Sequence, residues 1–194
     1  MEYEKRVMLS EEQYFSLVSY YLRQNPHYPF INQTNYYFET EDLFLRQNHA
    51  VLRVRSIVNQ GSELTLKIKE EKGDKEITDR LSYPQFTSLI NDNIFPNTPV
   101  CEEVIRLGRS LYEYKLLTKL ETTRLEIQED DYLVVIDKNN YNGITDYNLE
   151  IEASNRKKAE EIILKFCKNF SIEYKKDYVS KSKRALASIK IGEN

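Results

Sequence analysis

Apolar and charged residues alternate along much of this chain. Arg53 and Arg55 interleave with Leu52 and Val54, and Lys67 and Lys69 with Leu64, Leu66 and Ile68. Arg124 and Glu126 alternate with Leu125 and Ile127, and Glu150 and Glu152 with Leu149 and Ile151. A period of two is that of a β-strand, and it sends the charged and aliphatic sets to opposite faces. The pattern predicts a first strand at about Glu2 to Arg6, then Asn35–Glu39, Ala50–Val58, Glu63–Glu71 and Glu76–Leu81. It continues with Tyr112–Lys119, Thr122–Gln128, Tyr132–Lys138 and Tyr147–Glu152. Asn59-Gln60-Gly61-Ser62, Gly73-Asp74 and the run Asn139 to Gly143 read as turns.

Helical spacing breaks this pattern at a few places. Ser10 with Gln13 forms a capping box ahead of Tyr14, Leu17, Val18, Tyr21 and Leu22, a helix that ends before Pro26. Ser82 with Gln85 repeats the box, with Pro84 in the first turn, and opens a short helix to about Asn91. Further helices are predicted at Cys101–Leu107, across Ala159, Ile162, Ile163 and Phe166, and in the basic segment Lys181–Lys190. Strands in runs with helices between them make an α+β fold, with enough strands to close a barrel. No linker or low-complexity stretch divides the chain, so one domain over residues 1–194, or a compact fold of two intimately joined halves, is expected.

Composition narrows the class. A hydrophobic content of 40% with 30% charged residues sustains a real core, and fifteen tyrosines, eight phenylalanines and no tryptophan suit a β-rich interior. Those tyrosines serve a filled core or a homodimer surface equally well. A net charge of −3 gives no reason to expect a nucleic-acid partner. No apolar run is long enough for a bilayer, and charge from residue 2 onward argues against a signal peptide, so a cytoplasmic protein is expected. The isolated Cys101 and Cys167 agree with a reducing compartment. His27 and His49 have no evident partners and read as loop residues, and neither a zinc constellation, a glycine-rich phosphate loop nor a nucleophilic serine motif is present.

Strand parity groups Arg6, Arg53, Arg55, Lys67, Lys69, Arg124 and Lys183 with Glu2, Glu4, Glu76, Asp137, Glu150 and Glu152 as residues able to face one space. An ordinary antiparallel sheet with one wet face alternates in the same way. Two features favour an enclosed face instead. Acids cluster on the first and last strands with bases between, and the helices need the aliphatic faces for packing. Charge enclosed in a lumen needs a ligand. Acids beside arginines and lysines suit a metal-bound polyanion, with Mg²⁺ or Mn²⁺ on carboxylate oxygens and phosphate oxygens on the cations.

Glu2-x-Glu4-x-Arg6, Leu52-Arg53-Val54-Arg55, Leu64-Thr65-Leu66-Lys67, Thr123-Arg124, Asp137 and Glu150-Ile151-Glu152 together resemble the CYTH superfamily of triphosphate tunnel metalloenzymes. That family includes class IV adenylate cyclases, thiamine triphosphatases and inorganic triphosphatases. Tyr36 to Thr40 and Asp146-Tyr147 are similar to a bacterial branch often labelled adenylate cyclase-like. The resemblance implies a closed eight-stranded antiparallel tunnel with helices outside and a charged lumen. It implies metal ligands at Glu150 and Glu152, with Glu2, Glu4 or Asp137 completing the shell. It implies a triphosphate clamp of Arg6, Arg53, Arg55, Lys67, Arg124 and Lys183, with Glu76 an acid available to a second metal. Catalytic positions would be Glu2, Glu4, Arg6 and Glu76. The family's first motif ends in lysine where this chain has Arg6. The expected activity is metal-dependent hydrolysis of a small triphosphate. Cyclisation of ATP to cyclic AMP and ligand binding without turnover are the alternatives.

Overall fold

A computed structural model describes residues 3–70, 73–175 and 179–189. Its strands form an eight-stranded antiparallel sheet, accompanied among the described residues by six α-helices and one 3₁₀ turn. Two compact units divide the chain, one of residues 1–32 and 121–183, the other of residues 33–120 and 184–194.

In the first unit β1 (Tyr3–Leu9) pairs with β8 (Ile144–Ala153), β8 with β7 (Tyr132–Tyr141), and β7 with residues 121–128 of β6 (Lys115–Gln128). Val7, Leu9, Leu125, Ile127, Val134, Ile136, Leu149 and Ile151 line one face and are buried there. Helices α1 (Glu11–Gln24) and α5 (Arg156–Asn169) cover them with Tyr14, Leu17, Val18, Tyr21, Ile163 and Phe166. Each leucine buried this way contributes roughly 1.5–3 kcal/mol. The capping box read at Ser10 and Gln13 is present and fixes where α1 starts.

The second unit is a meander of β2 (Phe30–Glu39), β3 (Ala50–Ile57), β4 (Gly61–Glu70) and β5 (Gly73–Leu81), each antiparallel to the next. Its aliphatic face carries Leu52, Val54, Leu64 and Leu66, packed with Leu89 of α3 (Tyr83–Asp92) and Val100 and Val104 of α4 (Pro99–Arg106). A short α2 (Phe44–Gln47) adds Leu45. The remaining helix, α6, is Lys181–Ala187. Among the described residues no helix is long and apolar enough to cross a membrane.

Four local expectations are corrected. The two strands predicted at Tyr112–Lys119 and Thr122–Gln128 are a single β6, because Leu120 and Glu121 carry no turn-forming chemistry and Leu120 is fully buried; the start at Tyr112 is a 3₁₀ turn instead. Strand β2 begins at Phe30 rather than Asn35, since the polar run Asn32-Gln33 ahead of Asn35 hides the strand in the sequence although Gln33 is buried. The turn at Asn139 to Gly143 shrinks to Asn142-Gly143, whose φ values of 47° and 77° suit the tight hairpin that Asn-Gly favours. Gly73 and Asp74 belong to the backbone of β5.

Candidate functional site

The face of the first unit opposite its core is polar, and strand register decides which of its side chains meet. Arg6 stands opposite Glu150 and Glu4 opposite Glu152 on the β1–β8 pair. Arg124 stands opposite Asp137 on the β6–β7 pair, and Asn148 opposite Asp137 on the β7–β8 pair. One carboxylate oxygen each from Glu4, Glu150 and Glu152 lies within 4.8 Å of the others. Three hard oxygen donors at that spacing suit a divalent cation such as Mg²⁺ or Mn²⁺. Glu2, the first acid of the series, lies outside the described residues.

Cations surround this trio. Glu4 is paired with the Arg6 guanidinium through both oxygens. Arg6 Nε is 3.4 Å from Glu150 Oε1, Arg124 Nη2 is 3.4 Å from Glu150 Oε2, and Lys181 Nζ is 2.8 Å from Glu150 Oε1. Burial, and then the charge of Glu150, push the Glu4 carboxyl up to about 7. Burial acts against ionisation of Glu150 too, but Lys181, Arg6 and Arg124 overcome it and hold Glu150 at about 2. Two carboxylates side by side thus differ in charge state because one has three cations and the other has one.

Asp137 stands outside the trio. It is fully buried and binds Arg124 with both oxygens, Nε at 2.8 Å and Nη2 at 3.0 Å, and also receives Lys181. Burial disfavours the Arg124 charge, but Asp137, Glu150 and Glu126 together raise its pKa above the usual arginine value. Asp137 is therefore placed to fix Arg124, whose Nη1 also reaches Glu126 Oε1 at 3.2 Å.

Sequence parity named Lys183 for this cluster, yet Lys183 is exposed and Lys181 is the lysine on the carboxylates. Helix α6 starts at Lys181, and strand parity carries no information about which side a helix presents. Asn139, Asn148 and Thr122 were missed as well, although each shares the parity of Asp137, Glu150 or Arg124 and is buried.

The second unit has a polar face of its own. Arg53 Nη2 lies 3.9 Å and Lys67 Nζ 3.7 Å from the two oxygens of Glu76, and Arg55 Nη1 lies 3.6 Å from Glu63. Tyr37 stands opposite Arg53 on the β2–β3 pair. Burial raises the Tyr37 phenol's pKa despite the opposing charges of Arg53 and Arg55. Asn35, opposite Arg55, is buried with no partner for its Oδ1 among the described residues. Lys69 is exposed, and its backbone N–H donates to His49. His27 and His49 both fall in loops, as expected.

Comparison with known proteins places this geometry in a family. The chain is 29% identical over 172 residues to the Bacillus subtilis (strain 168) protein named "Putative triphosphatase YjbK", covering 89% of this chain and 87% of that one. A crystal structure from Bacillus halodurans, described as a "putative adenylate cyclase", is 27% identical with a TM-score of 0.82, covering 95% of this chain and 96% of the other. HpAC1 from Hippeastrum, described as having a dominant triphosphatase activity, is 20% identical with a TM-score of 0.77, covering 97% of this chain and 96% of the other, and shows the same fold. The CYTH domain model matches residues 1–185, nearly the whole chain, and the protein belongs to the CYTH domain family.

Proposed function

We propose that the protein is a metal-dependent triphosphatase that cleaves a phosphoric anhydride bond of a small triphosphate. Inorganic triphosphate is the preferred substrate, with nucleoside and thiamine triphosphates as alternatives. The observation that carries this reading is the Glu4–Glu150–Glu152 trio set among Arg6, Arg124 and Lys181. A bound Mg²⁺ or Mn²⁺ would supply charge stabilisation at a phosphoryl oxygen. Arg6 and Arg124 then offer guanidinium donors to phosphate oxygens, and Lys181 takes the role first given to Lys183. Glu4 is the acid assigned to orienting the attacking water, with Glu2 two residues before it in the sequence. In the second unit Arg53, Arg55 and Lys67 are proposed phosphate ligands, with Glu76 tempering their charge. Similarity to YjbK at 29% identity supports hydrolysis as the reaction. Cys101 and Cys167, both free and buried, accord with work in the cytoplasm.

The test is phosphate release from inorganic triphosphate, ATP and thiamine triphosphate, with Mg²⁺ or Mn²⁺ and an EDTA control. Metal-dependent release that Glu152→Gln abolishes in a folded protein supports the assignment. Release that persists in that variant overturns it.

Two features favour other reactions. Similarity to the Bacillus halodurans protein favours adenylate cyclase activity, which cyclic AMP among the products of ATP would reveal. Arg6 in place of the family's lysine favours binding without turnover, because a guanidinium does not release its proton. Tight triphosphate binding with no product under either metal would identify that case.

A further inference from the structure

Behind the carboxylate trio runs a chain of hydrogen bonds whose direction is fixed at both ends. Thr122 Oγ1 donates to Asn139 Oδ1 at 2.9 Å. Asn139 Nδ2 donates to Asn148 Oδ1 at 2.8 Å and to Asp146 Oδ1 at 3.0 Å. Asn148 Nδ2 in turn donates to Glu150 Oε1 at 3.2 Å and Asp137 Oδ2 at 3.3 Å. Tyr141 donates its hydroxyl to the other oxygen of Asp146 at 2.5 Å. Neither asparagine is exposed to solvent.

A carboxylate accepts only, so the amide nitrogen of Asn139 must face Asp146, and that of Asn148 must face Glu150 and Asp137. Every N–H of the two amides then has one acceptor, and both amide oxygens have a donor. Turning either amide over would set a carbonyl oxygen against a carboxylate at two enclosed positions, where unpaired polar atoms are costly. The polarity therefore runs one way, from Thr122 through Asn139 to Asn148 and onto the acids.

We infer that Asn148, held by Asn139 and Thr122, is a positioning residue that sets the orientation of the Glu150 carboxylate for the metal. This rests on the metal-site reading proposed above. Glu150 is also contacted by Lys181, Arg6 and Arg124, but those are cations on long side chains with many rotamers. Asn148 is short, enclosed and neutral, so it fixes the acid without adding a positive charge that would compete with a cation. Outer hydrogen-bond partners of metal ligands act in this way, and their loss costs about 10–100-fold in metal affinity.

The experiment is Mn²⁺ titration by calorimetry on the full chain without substrate, with circular dichroism as the control for folding. Asn148→Leu is expected to weaken Mn²⁺ binding by about 10–100-fold. Thr122→Val, which removes only the first donor of the chain, is expected to weaken it less, and Thr122→Ser, which keeps the hydroxyl, to restore it. A folded Asn148→Leu with unchanged affinity overturns the inference. Should Asn148→Leu not fold, equal affinities in the two Thr122 variants overturn it. A wild-type protein that takes up no Mn²⁺ overturns the metal-site reading, which is a different result from unchanged affinity in the variants.

Discussion

The ammonium of Lys181 lies 2.8 Å from Glu150 Oε1 and also contacts Asp137, so a lysine from the first turn of α6 compensates two acids on neighbouring strands. Both acids are almost fully enclosed, which makes the compensation matter. Lys181→Met should destabilise the protein by about 3 kcal/mol, the range for removing one partner of a buried pair. Lys183→Met, at an exposed position, should stay within about 0.5 kcal/mol. Thermal melts would show this, and added Mn²⁺ should raise the melting temperature of the Lys181 variant more than that of the wild type. Equal losses from both variants would restore Lys183 to the site.

Glu4 and Glu150 repel one another across β1 and β8. With EDTA present, Glu4→Gln should stabilise the protein at pH 8, because the neutral amide removes a charge that burial and Glu150 oppose. The sign follows from the folded carboxyl being raised to about 7 from an ordinary 4.5. Such a group favours folding when protonated, so its unfavourable contribution grows as pH rises from about 4.5 and is complete above about 7. The gain from Glu4→Gln, at most about 3 kcal/mol at pH 8, should vanish near pH 4.5. Chemical denaturation at the two pH values measures it, and an equal effect at both would contradict the charge-repulsion account.

Glu76 lies close to both Arg53 and Lys67, at 3.9 and 3.7 Å. The pairs are half-exposed, so Glu76→Gln should change stability by less than about 1 kcal/mol. It should tighten triphosphate binding measured in EDTA several-fold, since a negative charge close to the two cations disappears. Weaker binding would mean that Glu76 positions the cations rather than tempering them.

Arg6→Lys places a lysine where the resemblance to the CYTH superfamily leads one to expect it. The variant keeps the charge but gives up the two-pronged pairing with Glu4. We expect kcat for triphosphate hydrolysis to rise and the KM to change little. A fall in kcat would show that the guanidinium fork suits this chain's chemistry better than an ammonium does.

Much of the fold was legible because its signals are local. Capping boxes at Ser10 and Ser82 marked two helix starts, and the period-two alternation in Leu64 to Lys69 separated the core face from the polar one. The misreadings arose where local signals run against packing. Asn139 and Asn140 look like turn formers, yet side-chain bonds from Asn139 to Asp146 and from Thr145 to Asn140 carry the hairpin out to Tyr141. Polar Gln33 looks unlike a strand residue, yet it is enclosed within β2.

By itself the sequence determined which side chains share a face, because that depends only on position along one strand. It brought Glu4, Glu150, Glu152, Arg6 and Arg124 to polar faces, and Arg53, Arg55 and Lys67 likewise. Which of them touch was decided only by tertiary structure, since register between strands and the approach of a distant helix are set by packing. Register put Asp137 against Arg124 and Asn148 rather than among the metal-type acids. The arrival of α6 chose Lys181 over Lys183, and burial raised the Glu4 carboxyl while Lys181, Arg6 and Arg124 overcame burial at Glu150 and held it low. Contacts between residues far apart in the chain follow from how whole faces pack, and no short window of sequence carries that information.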